Sequence, residues 1–300
     1  MLIHASTLQH LRFPFSFLLA PAFLMTVATH LQLAPRTGDI QTTSLAFLIL
    51  HGLVYPASNG FNSWCDQDEG PIGGVITPLP VTNQLRILAL AMDFAALILA
   101  AVLMNPHWAA GLLAYIVASR AYSHPSVRLK ARPWLGWTVV AFFQGAWIMG
   151  LTWFALNPTA SPGEFPWICA LGTSLLLGGS YPLTQIYQHA EDQKRGDLTL
   201  SRHLGVRGTL VFSALASGAG ILVLGIGWFL LGIPELLLAL LIALLPASKL
   251  LRVFAKSCLE DPAAAHRNPE AALAIARITR VSAWSLNIAW LAVLFKSLIF

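Results

Sequence analysis

Charge is scarce in this chain of 300 residues. Charged side chains make up 10% of it, against about 25% in an average soluble chain, while hydrophobic residues make up 56%. Thirteen acidic and eighteen basic residues are too few to cover a water-facing surface of this size. That excludes a soluble pair of domains and a disordered chain alike. Cysteine is scarce too: Cys65, Cys169 and Cys258 stand far apart and form no CxxC pair, so neither a zinc site nor a disulfide framework is implied. The net charge of +5 and pI near 9.4 do not point to a nucleic-acid partner. In a chain of mean hydropathy +0.68 they mark basic loops beside a membrane. The composition predicts an all-α, polytopic membrane protein.

About 20 apolar residues are needed to cross roughly 30 Å of hydrocarbon. Residues 13–35 and 40–61 supply the first two spans. Residues 87–119 are long enough for two, divided near Asn105-Pro106, where proline breaks the hydrogen-bond ladder. Residues 133–163 hold the fifth, 165–190 the sixth, 208–234 the seventh, 236–248 a short eighth and 271–300 the ninth. The first span is longer than a signal-peptide core and no A-x-A-like site follows it cleanly, so it is read as retained. With nine spans, only Arg36 and Lys296 of the eighteen basic residues fall on one side. The positive-inside tendency makes the other side, with the N-terminus, cytoplasmic, in the inner membrane if the source is bacterial. Residues 1–300 read as one transmembrane domain with cytoplasmic acidic loops at 59–82 and 186–207.

Six of the thirteen acids crowd into those two loops. The first runs Asn59-Gly-Phe-Asn62-Ser-Trp-Cys-Asp66-Gln-Asp68-Glu69-Gly70-Pro71, the second from Gln188 through Glu191, Asp192, Lys194 and Gly196 to Asp197. Asn62 and Asp66 are four apart, as are Gln188 and Asp192, so each pair is expected on one helical face. Asp68 cannot share that face and must reach a common site from an unwound turn, which Gly70-Pro71 and Gly73-Gly74 favour. Carboxylates and amide carbonyls suit a hard cation such as Mg²⁺, which keeps waters and shares phosphate oxygens. The alternative is two solvated loops that merely cap helices. Between them lies Tyr122-Ser-His-Pro-Ser-Val-Arg128-Leu-Lys130, whose Arg128 and Lys130 could meet phosphate or could be ordinary loop charge. Asp93 lies well inside a span, a functional candidate or an interior hydrogen-bonded acid, one or two turns from Arg86.

In this order the three segments resemble the UbiA superfamily of membrane prenyltransferases. Its first acidic motif is N-x-x-x-D-x-x-x-D, its second D-x-x-x-D-x-x-x-G, with a segment like Y-S-x-P-P-x-R-L-K between. Asn62 and Asp66 match the first; Asp192 and Gly196 match the second; Tyr122, Ser123, Pro125, Arg128, Leu129 and Lys130 match the middle. Gly70 stands where the first motif ends in Asp, and Gln188 where the second begins with one, which marks a divergent branch. The resemblance implies a nine-helix UbiA-like bundle and Mg²⁺-dependent transfer of an isoprenyl group from its diphosphate to an aromatic or other lipophilic acceptor. It also implies that Asn62, Asp66, Asp68, Gln188 and Asp192 hold the metal. Asp66, Asp68, Asp192 and Asp197 would be catalytic, and Asn59, Asn62, Tyr122, Arg128, Lys130, Gln188 and Lys194 would contact substrate. Trp64, Tyr115, Tyr122, Tyr181 and Tyr187 are aromatic candidates for facing an allylic cation.

Two rivals remain at this level. A terpene cyclase or a phosphoribosyl-transferring relative would use the same acids for other chemistry. An ion-coupled transporter would tend to place its polar groups near the bilayer midplane, whereas these acids gather at one face. Acceptor, prenyl length and oligomeric state are not legible in the sequence.

Overall fold

The computed structural model describes residues 3–34, 40–261, 264–265 and 269–299. Ten helices account for most of it: α1 (Ala5–Leu33), α2 (Ile40–Asp66), α3 (Asn83–Met104), α4 (Pro106–Ser123), α5 (Pro133–Leu156), α6 (Trp167–Ser180), the short α7 (His189–Arg195), α8 (Leu200–Leu230), α9 (Glu235–Glu260) and α10 (Glu270–Ile299). The break expected at Asn105-Pro106 is present. Asn105 is extended and its side chain accepts the Trp108 amide at 2.8 Å, capping α4 while Pro106 needs no partner.

Among the described residues seven helices are long and apolar enough to cross a membrane: α1, α2, α3, α5, α8, α9 and α10. The expected count of nine is not reached. The fourth segment is helical, but His107, Ser119, Arg120 and Ser123 dilute its apolar character. The sixth is α-helical for only 14 residues. Pro182 cannot donate to the ladder, and Tyr181–Gln188 tightens into a 3₁₀ turn. The eighth segment, expected to be short, runs instead from Glu235 through Pro246 to Glu260, so Lys249, Arg252 and Lys256 lie on a helix rather than in a loop. Arg36 and Arg267 fall outside the described residues.

The apolar mass divides between a packed interior and an apolar outside. Tyr55, Leu112 and Ile148 centre one core between α2, α4 and α5; Met149, Leu240, Trp228 and Trp290 centre another between α5, α8, α9 and α10. Outward, Phe94, Leu215, Phe229 and Val253 lie two-thirds or more exposed, the surface a helix presents to lipid rather than to water. Contact between α6 and α8 is made backbone to backbone. A Cβ on Gly220 would stand 2.5 Å from the Leu176 amide nitrogen, and one on Gly179 2.6 Å from that of Ser217. Small residues permit this approach, which supplies close packing where water gives no driving force.

Successive long helices run up and down, so the start of α1, the end of α2, the end of α4, the start of α5 and the start of α8 meet at one end of the bundle. The acidic segments are there.

Candidate functional site

Helix α2 stops at Asp66 because Gln67 turns left-handed (φ 51°) and returns its amide to the Ser63 carbonyl at 2.9 Å. That turn carries Asp68 off the helical face and into the bundle, where it is buried. On the facing side α7 ends at Gly196, also left-handed, and the Asp197 amide reaches back to the Asp192 carbonyl at 2.8 Å. Asp192 is buried and accepts from Thr199 Oγ1 at 3.1 Å; Asp197 is wholly buried.

The segment after α4 joins the two. Arg128, itself left-handed (φ 46°), grips Asp197 with two nitrogens, Nε at 2.5 Å and Nη2 at 2.7 Å, and approaches Asp66 at 3.4 Å. Lys130 bonds Asp66 and stands 4.0 Å from Asp197. It also draws on Asp192 electrostatically. A second junction forms at Arg195, 3.2 Å from Asp68 and 3.6 Å from Glu191. Gly70 has no Cβ, and the space one would fill holds the Glu191 carboxylate. Two oxygen-rich segments more than a hundred residues apart thus share their counterions.

Burial governs the charges. It pushes the Asp192 carboxyl up to about 6, against the pull of Thr199 and Lys130. Burial likewise raises Asp68, with Asp66 adding repulsion and Arg12 and Arg195 opposing. The hydrogen bonds from Arg128 to Asp197 raise Arg128.

The remaining sequence candidates divide. Asn62 donates to Ser123 Oγ at 2.9 Å, tying α2 to α4 beside Asp66. Asn59 accepts Arg12 on its backbone carbonyl, while its own amide nitrogen is buried without a partner. Tyr122 and Tyr181 meet hydroxyl to hydroxyl, and Gln185 supports Tyr181 at 2.9 Å. Gln188 ends the 3₁₀ turn and caps α7, four residues before Asp192. It lines a cavity of about 470 Å³ between α1 and α10, with Arg12, Phe15, Gly73, Ile275 and Trp284. Lys194 is exposed on the outer side of α7, and Arg195 beside it makes the contact. The i,i+4 spacing of Glu191 and Arg195 was the signal for it. Arg12, within α1, also acts electrostatically on Asp68. Asp93 pairs with Arg120, not Arg86, which lies instead over the Trp64 ring at 4.8 Å.

Among the described residues no three His, Cys, Asp or Glu side chains could together hold a metal ion. Arg128, Lys130 and Arg195 stand between the acids. Asp68 Oδ2 is nevertheless buried with no hydrogen-bond partner. Such a donor set, hard oxygens with one orphaned, fits a divalent cation held by one or two carboxylates and completed by phosphate rather than one caged by protein.

The UbiA prenyltransferase family model matches residues 18–275. Among solved structures, a UbiA homolog from Archaeoglobus fulgidus bound to DMAPP and Mg²⁺ superposes with a TM-score of 0.64 at 16% identity, covering 97% of this chain and 99% of that one. The apo structure of a UbiA homolog from Aeropyrum pernix K1 gives 0.64 at 15%, covering 91% and 97%. A digeranylgeranylglyceryl phosphate synthase structure gives 0.58 at 15%, covering 98% of each. At these identities the likeness is one of fold. Among curated proteins no relative matches.

Proposed function

Because the chain belongs to the UbiA prenyltransferase family, we propose that it transfers an isoprenyl group from an isoprenyl diphosphate to an aromatic or other lipophilic acceptor within the membrane, in an Mg²⁺-dependent reaction. One observation carries the reading: the acidic segments at 59–69 and 188–197 converge on Arg128 and Lys130. Residues 1–300 act as one domain, multi-pass in the membrane, with the acidic end and the N-terminus on the cytoplasmic face.

Asp66, Asp68, Asp192 and Asp197 are the carboxylates from which one or two would hold a metal ion, with Asn62 and Gln188 as neutral oxygen donors beside them. An Mg²⁺ held there with the diphosphate would neutralise the charge that develops on the leaving group. Arg128 and Lys130, already at the acids, turn to phosphate oxygens, Arg128 through its planar fork and Lys130 as a point charge. Asn59, whose backbone carbonyl accepts Arg12, would contact substrate beside them. Lys194 guides the anion from solvent. Tyr122 and Tyr181, which meet hydroxyl to hydroxyl, would supply aromatic surface to the allylic cation, and a desolvated ring face attracts positive charge by about 2 kcal/mol. The cavity between α1 and α10 would take the prenyl chain: Phe15, Ile275 and Trp284 line it, and so do Arg12 and Gln188. Membrane lipid surrounds it, and no nucleic acid takes part.

The test is purified protein with Mg²⁺ and labelled farnesyl or geranylgeranyl diphosphate, offered aromatic and lipid acceptors. Pyrophosphate release with a prenylated acceptor is expected. Release with a hydrocarbon product would replace transfer by cyclisation. Transfer from a phosphoribosyl donor alone would assign the other branch, and no turnover would leave an ion-coupled transporter.

A further inference from the structure

One charged pair lies outside this machinery and within the span-forming region. Asp93, midway along α3, is buried, and Arg120 of α4 donates its Nε to Asp93 Oδ2 at 2.9 Å, with Nη2 also in contact. Buried ion pairs are poor stabilisers, since removing two charges from water offsets most of their attraction. Well-packed apolar residues often serve as well. Stability alone therefore gives no reason for this pair, and its contacts give another.

Arg120 touches α2 as well as α3. Its Nη1 lies 3.4 Å from the Ala57 carbonyl, and its guanidinium lies over the Phe61 ring at 4.3 Å. Those residues form the turn immediately before Asn62. The same two helices are pinned on either side of it, by Ser119 to Ser58 at 2.8 Å and by Asn62 to Ser123 at 2.9 Å. The next turn of α2 is Asp66. The polar rungs thus climb α2 in steps of four residues, from Ser58 through Asn62 to Asp66, and Arg120, which meets Ala57 and Phe61 between them, is anchored on a third helix as well. Slipping α2 by a single residue would move Asp66 by about 1.5 Å and turn it by about 100°.

We propose that Asp93 and Arg120 are positioning residues, which fix the register of α2 against α3 and α4 and so hold Asp66 toward the divalent-cation site. The proposal rests on the metal assignment above but not on what is transferred. Outer groups that orient metal ligands typically cost 10–100-fold in affinity when removed.

The experiment measures Mn²⁺ binding to detergent-purified protein by electron paramagnetic resonance, alongside thermal unfolding and, separately, turnover. Asp93→Asn and Arg120→Met should each raise the Mn²⁺ Kd roughly tenfold, while Asp93→Glu, which keeps the carboxylate, should recover most of it. Arg120→Lys should fall between. Unchanged Mn²⁺ affinity in Asp93→Asn, with only a lower melting temperature, would reduce the pair to helix packing and overturn the proposal. So would a loss that Asp93→Glu fails to restore. Wild-type protein that binds Mn²⁺ but turns over no prenyl diphosphate would sink the proposed reaction and leave the positioning role standing. Wild-type protein that binds no Mn²⁺ would sink both.

Discussion

Replacing Arg128 by Met removes a cation from the densest junction in the molecule. The Asp197 carboxylate, wholly buried, loses contacts at 2.5 and 2.7 Å and keeps Lys130 at 4.0 Å, while Arg202 stays on the Asp197 backbone carbonyl. Breaking a buried pair from one side costs about 3–5 kcal/mol, because the surviving charge has no partner. The Arg128 side chain is 20% exposed and Lys130 remains near, so the lower end applies, about 3 kcal/mol. At roughly 2–4 °C per kcal/mol this is a fall of roughly 6–12 °C in melting temperature. The assay is thermal unfolding in detergent, followed by tryptophan fluorescence. Asp197→Leu added to Arg128→Met should recover much of the loss, since no lone charge then remains buried. The double-mutant cycle should return a coupling of at least about 2 kcal/mol. If Arg128→Met melts within two degrees of wild type, the junction does not bind the two acidic segments together, and the account of the site falls with it.

Asp66→Ala and Asp192→Ala should each abolish turnover while eluting as folded protein in size-exclusion chromatography; activity retained in both would refute the metal assignment. Chelation by EDTA should remove activity, and Mg²⁺ should restore it, with almost no change in melting temperature, because Arg128, Lys130 and Arg195 already neutralise the acids. Gly220→Leu should destabilise by about 1–3 kcal/mol, the usual cost of overpacking. Even its Cβ would sit 2.5 Å from the Leu176 backbone, so α6 and α8 must part; melting measures it.

The helix ends were legible in the sequence where the chemistry is local. Asn105-Pro106 stops one helix and starts another, and Asp68 leaves the α2 face as its spacing requires. Span length was less legible, because hydropathy runs do not register a helix that continues through charge, as α9 does through Lys249. Nor do they register one that Pro182 tightens into a 3₁₀ turn. The acidic segments were found as lists of oxygens, without their partners. Which cation answers which acid depends on tertiary approach: Arg120 lies 27 positions beyond Asp93, whereas Arg86 looked nearer along the chain and faces Trp64 instead. Arg195, not Lys194, meets Asp68, since neighbours on a helix point about 100° apart and nothing in the sequence says which points inward.

The resting site carries its own neutralisation. With Arg128 seated on Asp197 and Lys130 on Asp66, the bundle can fold and persist in a membrane without waiting for an ion. On the proposed function, a divalent cation would enter by exchanging partners with Arg128 and Lys130, and the basic side chains so released would be the groups that meet the diphosphate.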